Sequence, residues 1–66
     1  MKLVVNGEAV NFDAPLNLYD VLEQQGVVEM LIAVARNGEF VPKGEYKLTD
    51  LIDGDEIEIV SPQQGG

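Results

Sequence analysis

"DEIEIV", residues 55–60, places Ile57 and Ile59 on one side of an extended chain and Glu56 and Glu58 on the other. That alternation predicts a β-strand with one face buried and one in water. A strand of this kind needs paired neighbours and an apolar layer over its inner face, and the rest of the chain offers both. "KLVV", residues 2–5, is a second short strand, and Asn6-Gly7 follows it. Asn-Gly is the strongest two-residue hairpin signal, because both turn positions need positive φ. "EAVNF" then alternates, with Val10 and Phe12 on one side. Residues 2–12 therefore read as a β-hairpin, ended by Asp13, Ala14 and Pro15.

A helix comes next. Asn17 suits the N-cap, where its side chain accepts from a free N–H of the first turn. Leu16 before the cap and Val21 at the fourth helical position form the pair of a hydrophobic staple. Leu18, Val21 and Leu22 make one apolar stripe, Asp20 and Glu23 suit the positive helix end or water, and Gly26 fits the left-handed position after the C-cap. "MLIAVAR", residues 30–36, is apolar almost throughout and predicts a covered strand. Asn37-Gly38 marks another turn. "NGEAV" and "NGEFV" look alike, which reads as repeated turn chemistry and not as a duplicated unit. A loop containing Pro42 and Gly44 follows, then a short helical turn at "DLI" capped by Thr49, and a turn at Asp53-Gly54.

The order is β-β-α-β-(short helical turn)-β. One amphipathic helix must then cover one face of a four-stranded mixed sheet. The first and last strands are the candidates for central parallel neighbours, sealed on the helix side by Leu3, Val5, Leu18, Leu22, Ile57 and Ile59. This α+β arrangement is the β-grasp, or ubiquitin-like, fold. Residues 1–60 form its domain, and residues 61–66, "SPQQGG", form a flexible tail.

Composition narrows the function. The chain has 66 residues, enough for one small domain. It has no Cys and no His, so disulfides, thiol or imidazole chemistry and Cys/His metal sites are excluded. Twelve acidic and four basic residues give a net charge of −8. That charge argues against nucleic acid and against anionic membranes, and favours a basic protein partner. "MKLVVNGEAV" is no secretory signal, since Asn6 and Gly7 break its apolar stretch, and a cytoplasmic location is expected.

Inside the domain, "DLIDGDEIE" gathers Asp50, Asp53, Asp55, Glu56 and Glu58, but without the ligand spacing of a calcium loop. It reads as a polar turn and a solvent-facing strand. Ser61 and Thr49 have no His to activate them. Lys43 and Lys47 lie in a Gly/Pro loop, and Tyr19 and Tyr46 read as packing or rim residues. No phosphate-cradling glycine loop is present. The expectation is a protein that is not itself an enzyme and holds no cofactor or metal.

The tail offers a different kind of chemistry. Gly65 and Gly66 lack side chains, so this backbone can pass a narrow slot into another protein's active site. Gln63 and Gln64 need not pack, and Ser61-Pro62 stiffens the exit from the strand. A carboxylate at Gly66 is a poor acyl donor until adenylation converts it to a mixed anhydride. Sulfur attack then gives a thiocarboxylate, and thiol followed by amine attack gives an amide.

These features together resemble the ThiS-like sulfur carrier proteins of thiamin biosynthesis, a β-grasp family related to the molybdopterin synthase small subunit. The resemblance covers essentially the whole chain. It rests on the "VNGE" hairpin, "NLYDVLEQQG", "VARNGEFVPKGEY", "LIDGDEIEIV" and the final "GG". It implies that an adenylyltransferase related to the ubiquitin-activating enzymes uses ATP and Mg to adenylate Gly66. A sulfur donor, typically a cysteine desulfurase persulfide, would then form the thiocarboxylate, and thiazole synthase would take up the sulfur. Gly65, with Gln64 before it, gives access. Lys43 stands where the family commonly has arginine, at a position suited to partner contact. The proline of "SPQQGG" is shared with the molybdopterin branch. Sulfur carriage for molybdopterin, cysteine or tRNA thiolation, and protein modification, are the alternative readings. Val4, Val60 and Ala33, beside Glu56 and Glu58, form an apolar patch rimmed by acids, the expected partner surface.

Overall fold

The structure is a computed structural model that describes residues 1–13, 16–28 and 31–61. Five strands and one α-helix follow in the order β1 (Lys2–Val5), β2 (Glu8–Asn11), α1 (Leu18–Gln24), β3 (Ala33–Arg36), β4 (Glu39–Val41) and β5 (Glu56–Val60), with a 3-10 helix at Lys43–Leu48. The sheet order is β2-β1-β5-β3-β4. β5 lies at the centre, parallel to β1 and antiparallel to β3. The expected parallel pairing of the first and last strands is thus present, with Val5 opposite Ile57.

The sheet has five strands where four were expected. The additional strand is β4, which returns from the second Asn-Gly turn and pairs Phe40 with Ala35 and Val41 with Val34. Both Asn-Gly pairs have positive φ, 49° and 85° at Asn6-Gly7 and 50° and 83° at Asn37-Gly38. The repeated chemistry therefore builds two hairpins of one kind. β3 is shorter than residues 30–36, beginning at Ala33, while residues 29–30 lie outside the described residues.

The α1 termini follow from local chemistry. Asn17 Oδ1 accepts from Asp20 N at 2.9 Å and Asp20 Oδ2 accepts from Asn17 N at 3.1 Å, a reciprocal capping box. At the other end Gly26 (φ +74°) donates to Glu23 O and Val27 donates to Leu22 O. Those two bonds are a Schellman motif, which satisfies carbonyls the helix leaves open.

The helical turn expected at residues 50–52 lies earlier, at Lys43–Leu48, and Thr49 closes it where an N-cap was expected. Pro42 starts this 3-10 helix in an extended conformation, and Thr49 Oγ1 donates back to Glu45 O at 2.7 Å. Its one buried side chain is Tyr46. Residues 49–51 instead tie down the start of α1, through Leu18 N to Thr49 O and Leu51 N to Leu16 O.

The core lies between α1 and the inner sheet face. Leu3, Leu18, Val21, Leu22, Val34 and Ile57 are its fully buried side chains, each worth about 1.5–3 kcal/mol of apolar burial. Leu16 and Val21, the expected staple pair, belong to the same cluster with Phe12 and Val5. Ile59 and Val10 are half-buried against it.

Candidate functional site

β5 carries the chain toward its C-terminus, and two asparagines fix it from opposite sides. Asn37 Oδ1 accepts from Glu56 N at 2.9 Å at the start of the strand. Asn6 Oδ1 accepts from Ile59 N at 2.7 Å near its finish, and Asn6 N donates to Ile57 O. Each turn asparagine thus supplies a left-handed backbone and a side-chain acceptor for the central strand. Ser61, the last described residue, has a buried hydroxyl with no hydrogen-bond partner among the described residues.

Asp55 corrects the reading of "DLIDGDEIE" as solvent-facing, because it is 4% exposed. Its carboxylate accepts from Asn37 Nδ2 at 2.9 Å and from Ile52 N at 3.0 Å, with Arg36 Nε at 3.5 Å. Burial pushes the Asp55 carboxyl up, but the Ile52 and Asn37 hydrogen bonds and the Arg36 guanidinium outweigh it, so the net shift is down. The network is structural: its donors are all occupied in locking the turn before β5 to the turn after β3. Asp53 Oδ1 accepts from Lys2 N at 2.7 Å, a second structural use of this acidic stretch. Among the described residues, no group of three or more His, Cys, Asp or Glu is placed to hold a metal ion.

The outer sheet face carries the residues singled out for partner contact. Register puts Val4 beside Glu56, Ala35 beside Glu58 and Ala33 beside Val60. Glu56, Glu58 and Ala33 are exposed, Val4 is half-buried, and Val60 is 60% exposed. Phe40 joins them from β4 at 68% exposure. With Ala33, Ala35, Glu58 and Val60 it lines a shallow hollow of about 140 Å³. Phe40 escapes the sequence reading because no strand is expected between Asn37-Gly38 and Pro42, and Ala35, inside the expected strand, is not among the expected contact residues. The usable signal is the second Asn-Gly itself, which repeats the turn chemistry of the first.

Lys43 lies elsewhere, at the start of the 3-10 helix. With Tyr19, Val28, Tyr46 and Lys47 it lines a cleft of about 370 Å³ between that helix and α1. Lys47 Nζ sits 4.6 Å from the centre of the Tyr19 ring, a cation–π contact. Burial raises the Tyr46 phenol above its ordinary pKa. Gln64, Gly65 and Gly66 lie outside the described residues. No helix among the described residues is long and apolar enough to cross a membrane.

Known proteins are similar to this chain in both fold and sequence. The ThiS family matches residues 3–66. A crystal structure of a thiamine biosynthesis protein (ThiS) from Geobacter metallireducens superposes with a TM-score of 0.82 at 30% identity, covering 92% of this chain and 93% of that one. A solution structure of a thiamine biosynthesis protein from the same organism gives a TM-score of 0.76 at 30% identity, covering 91% and 81%. The chain is also 46% identical over all 66 residues to a thiazole synthase of Paramagnetospirillum magneticum, and 36% identical to one of Magnetococcus marinus. It spans 20% of the length of each of these two relatives. With a β-grasp fold, a family match across nearly its whole length and a solved ThiS structure of the same shape, the chain belongs to the ThiS family.

Proposed function

We propose that this chain is a sulfur carrier whose Gly66, bearing a free α-carboxylate, is converted to a thiocarboxylate that gives up its sulfur for thiazole formation in thiamin biosynthesis. The observation that carries this reading is the ThiS family match, which runs through residue 66 and so includes Gly65-Gly66. The chain is then a co-substrate and not an enzyme. A carboxylate oxygen of Gly66 attacks the α-phosphorus of ATP, with Mg on the activating partner, and pyrophosphate leaves. The terminal sulfur of a persulfide, supplied by a cysteine desulfurase, attacks the acyl carbon and AMP leaves. A thiol cleaves the S–S bond of the resulting acyl disulfide, releasing the thiocarboxylate. Gly65 and Gln64 give the end its access, since glycine lets a backbone approach another active site closely.

The relatives named thiazole synthase support thiazole formation over the molybdopterin, cysteine and tRNA branches. In each of them a segment similar to this chain makes up 20% of one polypeptide. Covalent linkage raises the effective concentration of a carrier at its acceptor, so such a fusion suits modules that must meet repeatedly.

The outer sheet face, with Val4, Phe40 and Val60 beside Glu56 and Glu58, is proposed as the docking surface for the activating adenylyltransferase. Its apolar centre and acidic neighbours suit a basic-rimmed partner surface. Incubation with that enzyme, ATP and a persulfide donor, followed by intact-mass measurement, tests the reading. One oxygen-to-sulfur exchange is the expected result. Unchanged mass with partners active on another carrier overturns it.

A further inference from the structure

Lys43 and Lys47 are half of the chain's four basic residues, in a molecule with twelve acidic ones. Neither forms an ion pair with a described carboxylate; among the described residues the pair found is Arg36–Asp55. Both lysines line the 370 Å³ cleft between α1 and the 3-10 helix, with Tyr19 and Tyr46 as aromatic walls. Tyr19 holds Lys47 in place through its ring face. Two cations lining one cleft make a receptor for a carboxylate.

Its position adds a reason. Val60 pairs with Ala33, and Val34 beside it pairs with Val41. Lys43 follows Val41 by two residues and so lies toward the sheet end at which β5 finishes, while Lys47 sits against Tyr19 near the start of α1. Residues 61–66 reach at most about 20 Å when extended. A protein that takes Gly66 into its active site must therefore contact the body around that end. On the acidic remainder of this domain, an acidic partner surface would be repelled; at this cleft it is attracted.

We propose that the cleft between α1 and the 3-10 helix is a docking socket for an acidic side chain of thiazole synthase, with Lys43 and Lys47 as its charged contacts. The inference rests on the sulfur-carrier reading and adds to it a surface separate from the outer sheet face. The activating enzyme and the acceptor then grip different faces of the molecule.

The test is the Kd between the chain and the thiazole synthase of its source organism, for wild type and for Lys43→Glu, Lys47→Glu and Lys2→Glu. The three variants change net charge equally, and Lys2 lies in β1, away from the cleft lining. Each cleft variant is expected to weaken binding by about three- to tenfold, while Lys2→Glu stays within about twofold. Equal weakening by all three, unchanged binding of the cleft variants, or no binding by wild type overturns the socket. Circular dichroism confirms that each variant is folded, and Lys43→Gln and Lys47→Gln, which remove charge without reversing it, are expected to fall between wild type and Glu. Thiocarboxylation by the activating enzyme, read by mass, reports separately on the sulfur-carrier reading: its absence in wild type refutes that reading, whereas normal thiocarboxylation with unchanged Kd in the cleft variants refutes the socket alone.

Discussion

The two ends of β5 are built differently. At its start, Asp55 is buried and receives Asn37, Ile52 and Arg36, so its carboxylate is used within the molecule. At its finish, Asn6 holds Ile59 N–H, but Val60 is 60% exposed and Phe40 nearby is 68% exposed. The start spends its chemistry on the fold. The finish leaves apolar surface uncovered beside the residues that lead to the tail. Rigid anchoring at one end and an open face at the other fit the proposed use of Gly66 by other proteins.

The sharpest way to break this contrast is Asp55→Ala. It leaves Asn37 Nδ2, Ile52 N and Arg36 without their acceptor, and a loss of about 2–4 kcal/mol in chemical denaturation is expected. A loss below about 0.5 kcal/mol, the scale of ordinary surface substitutions, would mean that the start of β5 is not anchored this way. The same site predicts a pH effect. Because the folded Asp55 pKa lies below the ordinary value of about 3.9, its stabilisation is complete above about pH 5 and is lost as pH falls through the folded pKa. The stability gap between wild type and Asp55→Asn should therefore narrow on acidification below about pH 4; a gap constant with pH would remove the charge from the explanation.

Asn6 tests the finish of the strand with a smaller effect. Asn6→Gly keeps the positive φ and removes only the acceptor for Ile59 N, for an expected cost of about 0.5–1.5 kcal/mol. Asn6→Ala adds left-handed strain of about 1–2 kcal/mol. Equal costs for the two would show that the turn does not need its left-handed backbone. The smallest stability effects belong to the open face. Phe40→Ser and Val60→Ser are expected to change stability by less than about 0.5 kcal/mol while weakening association with the activating enzyme by about tenfold. Stability losses without weakened association would make the face structural.

What the sequence disclosed divides along the same line. The first hairpin, the capping box partner Asn17 and the C-terminal Gly26 were legible because their causes lie within a few residues. β4 was not, because Pro42 follows only three residues after Gly38-Glu39 and left a segment too short to show its period. The 3-10 helix escaped because "KGEYKL" buries Tyr46 alone and has no repeating apolar spacing. Asp55 looked like one carboxylate among five. Its burial depends on Asn37, 18 residues away in the chain, which no local pattern encodes. The candidate reactive end is proposed on the opposite ground: with no Cys and no His in the chain, chemistry has few other places to be.

The central claim is that sulfur is carried on Gly66, and the most direct measurement is a fragmentation mass spectrum of the C-terminal peptide after incubation with activating enzyme, ATP and persulfide donor. The oxygen-to-sulfur exchange is predicted on Gly66 alone, and a Gly66-deleted chain is predicted to fold with unchanged thermal stability and acquire no sulfur. Sulfur found on any other residue, or acquired equally by the deleted chain, would contradict the account.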